Sequence, residues 1–240
     1  NGDYQQGLEN YEFRFSTKTG LNALLNKPKF SQWDGRDLKS GQKLLLISEQ
    51  GLGDTIHFMR YAIILRQRGL DVNLCAQPKL HSLIRASGID SSPIPPEEIT
   101  DSEDAHWLPL LSILRHLRVT ADDPIISDPY IKAPDLLMMT WKEHLSSERR
   151  PIIGINWQGN PSHETTNSKG RSLPLETFAP IVQKTNASLL SLQKGFGSGP
   201  LDTCSFRASF VSWQEQINDT RDLLEPPAIT PNCDGVITSV

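Results

Sequence analysis

Chemistry in this chain can sit in two places. The first is the run Glu49-Gln50-Gly51-Leu52-Gly53-Asp54, which follows a continuously apolar stretch from Lys43 to Ser48 and precedes a helical pattern. Glycines at 51 and 53 let backbone come close to a ligand, and a helix start offers unpaired N–H groups and partial positive charge. Asp54 then has two readings. It is a plain helix N-cap, or it is a carboxylate at the carboxyl end of a strand, where open α/β folds keep their ligand crevice. The second place is the loop Gly159-Asn160-Pro161-Ser162-His163-Glu164, continuing to Lys169-Gly170-Arg171-Ser172, again between an apolar run and a helical pattern. Asn160, Lys169, Arg171 and Ser172 are of the types that hold a diphosphate. The plainer reading is a solvated loop with ordinary turn residues.

Other chemistries lack their residues. A dinucleotide fingerprint would have Gly or Ala at position 56 and an acid at the end of the second strand, but the chain has Ile56 and Gln77. Both disfavour a nicotinamide-dependent oxidoreductase. There is no GxxxxGK[ST] phosphate loop, no cluster of metal-ligating residues and no Ser/His/Asp arrangement. His57 and His81 fall inside helical patterns, as packing or surface residues.

Two α/β units in tandem would position these loops. Residues 1–40 form a lead-in whose Tyr4, Tyr11, Phe13, Phe15, Phe30 and Trp33 stand among charges and glycines, expected to pack onto a neighbouring domain. Residues 41–148 read as a first domain. Its strands are Lys43 to Ser48, Asp71 to Ala76 and Ala105 to Leu108, and its helices Thr55 to Arg68, Pro78 to Ser87, Pro109 to Leu117 and Asp135 to Ser147. The pattern restarts in 149–240, with a strand at Pro151 to Trp157, a helix at Leu173 to Lys184 and a strand at Ser188 to Leu192. Continuous apolar strands alternating with helices predict parallel sheets with right-handed crossovers.

Length and composition agree with this division. A chain of 240 residues has room for one large or two ordinary domains, and 37% apolar residues can build a core. Lys+Arg 24 against Asp+Glu 28 leaves a net charge of −4, which argues against a general nucleic-acid or anionic-membrane binder. The apolar runs are far too short to span a bilayer. Three separated cysteines, Cys75, Cys204 and Cys233, make neither a disulfide framework nor a zinc site and suit a cytoplasmic setting. The chain begins at Asn1 and ends inside the strand-like run Gly235 to Val240, so it is expected to be a piece of a longer protein, its second domain incomplete.

A series of short motifs recurs in one order: Tyr11-Glu12-Phe13-Arg14, Trp33-Asp34-Gly35, Glu49 to Asp54, Phe58-Met59-Arg60-Tyr61, Trp157-Gln158-Gly159-Asn160-Pro161, Arg171-Ser172-Leu173-Pro174-Leu175 and Ser191-Leu192-Gln193. The series resembles the carboxyl-terminal region of bacterial tetratricopeptide-repeat proteins that carry a glycosyltransferase domain. These are relatives of the ADP-heptose:lipopolysaccharide heptosyltransferases and, more distantly, of the O-GlcNAc transferases. The resemblance implies a GT-B architecture of two Rossmann-like domains, with upstream repeats that bind protein partners. It implies an inverting hexosyl- or heptosyl-type transfer from a nucleotide-sugar to the hydroxyl of a glycan, lipid or protein acceptor, with no metal and no cofactor. Asp54 then corresponds to the proposed general base, with Gly51 and Gly53 beside it. Asn160, Arg171, Ser172 and Gln193 fall on the donor side. A GT-B module that has lost turnover and serves as a binding scaffold beside the repeats is the alternative. The family's later donor-phosphate motif would follow Val240, so residues 1–240 alone are expected to show no transfer and to bind donor no better than about millimolar, roughly 4 kcal/mol.

Overall fold

The computed structural model describes residues 2–18, 23–38, 41–126, 128–159, 172–195, 197–213, 216–217 and 223–239. Contacts divide the chain into two compact units, Asn1–Lys132 and Ala133–Val240.

In the first unit the run Leu44-Leu45-Leu46-Ile47 is buried throughout, as a strand covered on both faces must be. It belongs to β1 (Lys43–Ile47), which lies between β2 (Asp71–Cys75) and β3 (Ala105–Pro109) in a parallel sheet, with Lys43 in register with Asp71 and Ala105. Both outer strands are bridged by short segments. Ile94 pairs with Cys75 and donates its N–H to the Leu74 carbonyl at 2.8 Å, and Gln32 pairs with Trp107 on β3.

The lead-in holds a helix, α1 (Tyr4–Tyr11), followed by a 3-10 turn at Glu12–Ser16. Its aromatics divide. Phe15 and Phe30 pack with Leu45, Ile47, Cys75 and Trp107 inside the first unit, while Phe13 is 70% exposed and Tyr4 and Tyr11 are also exposed. The helix expected over 55–68 is instead two, α2 (Leu52–Phe58) and α3 (Tyr61–Gln67). The ladder tightens between them: Ala62 N–H bonds the Met59 carbonyl at 3.0 Å and Ile63 N–H that of Arg60 at 3.2 Å, both three residues back. This turn keeps Met59, Tyr61, Ala62 and Leu65 in the core. Gly69, at φ +88°, closes α3 as expected. A 3-10 turn at Pro78–Leu80 leads into α4 (His81–Ala86), and α5 (Ile113–Leu117) follows β3.

The second unit repeats the topology. β4 (Ile152–Asn156) lies between β5 (Ser188–Ser191) and β6 (Gly235–Thr238), all parallel. α6 (Asp135–His144) packs here, because Trp141 and Leu145 are buried with Ile152, Leu190, Ala228 and Ile229. On the other face Ile155, Trp157, Leu175, Phe178, Leu189, Phe206 and Phe210 form a second cluster. α7 (Ala179–Lys184) precedes β5, and α8 (Glu225–Ile229) precedes β6. Phe210 bridges Leu189 on β5. β6 is a half-covered edge rather than a buried strand, with Val236 and Ile237 at 42% and 41% exposure. Among the described residues no helix is long and apolar enough to cross a membrane.

Candidate functional site

β1 delivers Glu49 to the carboxyl edge of the first sheet at 0% exposure, and a buried carboxylate there requires a partner. Arg14 supplies it through a two-pronged contact, Nε to Oε2 and Nη2 to Oε1, each 2.9 Å. Arg14 Nη2 also donates to Ser112 Oγ at 2.8 Å, Nη1 donates to Glu12 Oε1 at 2.8 Å, and the Leu111 N–H donates to Glu49 Oε1 at 3.1 Å. The guanidinium lies 4.3 Å from the Tyr11 ring centroid and 4.0 Å from that of Phe15. Burial alone pulls its pKa down, but the hydrogen bonds and charges of Glu49 and Glu12 outweigh burial and leave it raised.

The next residues are held just as closely. Gln50 is left-handed at φ +63°, its Nε2 donates to the Tyr11 hydroxyl at 2.7 Å, and its N–H donates to the Ala23 carbonyl at 2.9 Å. Gly51 donates its N–H to Asp54 Oδ2 at 2.9 Å. Asp54 is not the N-cap, which is Gly51, but the third residue of α2; its carboxylate reaches back to the N-cap N–H, one half of a capping box, and so satisfies a donor at the helix start. Its Oδ1 makes no hydrogen bond with the described residues, and the side chain is half-buried. The two glycines differ. A Cβ at Gly51 would lie 3.3 Å from Asp54 Oδ2, whereas one at Gly53 would meet nothing within 4 Å.

Thr55 Oγ1 donates to Gln77 Oε1 at 2.9 Å, tying α2 to the end of β2 where a dinucleotide fold would place its acid. His57, three residues after Asp54, is exposed; burial and the Arg60 charge lower its pKa, and Asp54 partly offsets them. Cys75, in register with Ile47, is pushed up to about 12 by burial and, second, by Glu97, which makes it a poor nucleophile. Among the described residues no three His, Cys, Asp or Glu side chains gather as metal ligands.

At the carboxyl end of β4 the side chain of Gln193 is buried. Its Oε1 accepts from the Trp157 N–H at 3.3 Å and the Gln158 N–H at 3.0 Å, and its Nε2 donates to the Gln158 carbonyl at 3.0 Å. The Trp157 carbonyl accepts the Leu173 N–H at 2.8 Å, and the indole donates to the Gly197 carbonyl at 3.0 Å. Trp157 thus gathers Gln193 and the segment just after Ser172, while Asn160 and Arg171 lie outside the described residues. Gly51, Gly53 and Asp54 share one turn, as expected. Sequence reasoning missed Arg14, Tyr11 and Glu49 as a unit. The signal was a carboxylate two residues past the apolar run Leu44 to Ile47, at the end of a strand covered on both faces, where a charge needs a partner.

The chain matches no protein-family model. It is 25% identical over 261 residues to Protein FlbA of Caulobacter vibrioides, an alignment that covers 98% of this chain and 42% of that protein. It therefore spans about two fifths of the length of the curated relative it matches. Among solved structures it is similar to a glycosyl transferase family 9 protein from Veillonella parvula, at a TM-score of 0.55 and 14% identity, covering 85% of this chain and 77% of that one. With its two parallel three-stranded sheets, the chain has a GT-B-like, Rossmann-type α/β fold.

Proposed function

We propose that the chain is the core of a glycosyltransferase that moves a sugar from a nucleotide-sugar to an acceptor hydroxyl, with inversion and without a metal. The observation that carries this reading is Asp54, set on a helix start at the carboxyl edge of β1, with Oδ2 held by Gly51 and Oδ1 open to a hydroxyl proton. In the proposed step the acceptor oxygen bonds to the anomeric carbon from the face opposite the diphosphate. The anomeric C–O bond breaks with its electron pair leaving on the nucleoside diphosphate, and the acceptor proton passes to Asp54. Asn160, Arg171 and Ser172 are proposed to stabilise the departing diphosphate, with Gln193 fixing the base of their loop. Gly51 and Gly53 are proposed to let the substrate approach the turn. Upstream tetratricopeptide repeats and a protein, lipid or glycan acceptor belong to the same proposal. The competing reading, a binding module without turnover, draws support from the cap that Asp54 makes, since capping alone would account for the residue.

Nucleotide release from a panel of nucleotide-sugars, with calorimetry on the full-length protein, separates the two. Asn can accept the Gly51 N–H as Asp does, so Asp54→Asn is expected to keep the melting temperature and lower turnover by about 10²–10⁴-fold. Turnover close to that of the unaltered protein would remove Asp54 from the base role. Donor binding without any release of nucleotide would favour the binding module.

A further inference from the structure

We infer that Arg14 is a positioning residue for the turn that carries Asp54, which makes the amino-terminal segment 11–14 a working part of the candidate site. The link to turnover rests on the glycosyltransferase reading; the positioning does not. Three consecutive residues ahead of α2 are each restrained from a different direction. Glu49 is gripped by Arg14, Gln50 is held left-handed between the Tyr11 hydroxyl and the Ala23 carbonyl, and Gly51 is bound to Asp54 itself. Any rotation at Glu49 or Gln50 is passed to Gly51, and from there to the carboxylate that Gly51 fixes.

Arg14 is itself anchored. Its guanidinium lies against the rings of Tyr11 and Phe15, and Glu12, Ser112 and the Tyr11 carbonyl occupy the donors that Glu49 does not fill. Glu49 in turn accepts the Leu111 N–H just after β3, so one ion pair joins the ends of two neighbouring strands to the lead-in. The backbone adds to this, with Leu24 bridged to Glu49 and the Leu25 N–H on the Ser48 carbonyl at 3.1 Å. Stability alone does not call for such a pair, because well-packed apolar residues commonly replace a buried ion pair without loss. What an apolar pair cannot supply is direction. Only the planar fork of arginine holds both carboxylate oxygens of Glu49 and leaves one of them aimed at Leu111.

The double variant Arg14→Leu/Glu49→Leu separates stability from positioning. It is expected to melt somewhat below the unaltered protein, because Glu49→Leu also removes the acceptor of the Leu111 N–H, and to keep amide protection in β2. Amide hydrogen exchange at Gly51 and Thr55 should quicken at least tenfold, and the Gly51 amide proton, released from its carboxylate, should move upfield in the 1H–15N spectrum. Arg14→Lys keeps the charge without the fork and should quicken the same two amides about threefold while β2 is unaffected. If the double variant does not fold, Arg14→Lys alone decides. Unchanged exchange and an unchanged Gly51 resonance, in the folded double variant or in Arg14→Lys, would overturn the inference. None of these readouts uses a substrate, so a failure of the glycosyltransferase reading would show separately, in the nucleotide-release assay.

Discussion

At the carboxyl end of β1 the strand-to-helix turn is held by an ion pair, Arg14 with Glu49, whereas at the corresponding end of β4 it is held by a neutral amide, Gln193. The two sheets share one topology, so the difference lies in how the backbone beyond each central strand is held. After β1 the chain passes almost at once into α2 at Leu52, and a short turn with a left-handed residue needs its direction fixed from outside. After β4 the Leu173 N–H comes back to the Trp157 carbonyl, and Gln193 holds the N–H groups of Trp157 and Gln158. A charged fork orients the turn after β1; an amide, donor and acceptor at once, ties the backbone after β4.

Three measurements test this contrast. The largest effect is expected from Arg14→Met, which leaves the Glu49 charge buried without its cation and should cost about 3–5 kcal/mol in urea unfolding. A loss below about 1 kcal/mol would mean that the Leu111 N–H and the backbone hold the turn unaided. Gln193→Ala should cost about 1–3 kcal/mol for each amide, Trp157 and Gln158, that it leaves buried without an acceptor. A loss below about 0.5 kcal/mol would mean that water satisfies both N–H groups in its place.

The effect that is smallest at neutral pH concerns the thiol at the first edge. The Cys75 thiol is pushed up to about 12 in the fold, against about 8.5 in an unfolded chain. Between those values the folded chain keeps a proton that the unfolded chain releases, so stability falls as pH rises through that window. Cys75→Ala should remove up to about 1.4 kcal/mol per pH unit of this alkaline loss, read from unfolding curves at several pH values. An unchanged alkaline slope would mean that water reaches the end of β2.

Much of the scaffold was legible because parallel strands announce themselves. The runs at Leu44 to Ile47 and Ile152 to Ile155 are apolar without alternation, and the strands fall there to within a residue or two. The helix break at Met59 and Arg60 was not legible, since the apolar period runs unbroken across it and the tightening serves tertiary packing. Nor was the allegiance of α6. Its pattern is that of any surface helix, and the packing of Trp141 against Ala228 and Ile229 is decided by residues far along the chain. At the site, the turn bearing Gly51, Gly53 and Asp54 was readable from local chemistry. Its partners were not, because Arg14 and Glu49 are joined only by folding. Nor were the partners of Gln193 legible, because the backbone groups of Trp157 and Gln158 that its amide bonds come from a segment about 35 residues earlier.

The short segments alongside the sheets bear on self-association. Ile94 lies on β2, Gln32 on β3 and Phe210 on β5, so at each of these edges backbone groups that another chain could pair with are already taken. Among the described residues no such segment is bridged to β6, where Val236 and Ile237 stand exposed. Uncovered edges are where folded proteins add strands to one another. Among the described residues β6 is therefore the edge with pairing groups left open, to a later part of the same protein or to another chain, and the other three edges are blunted.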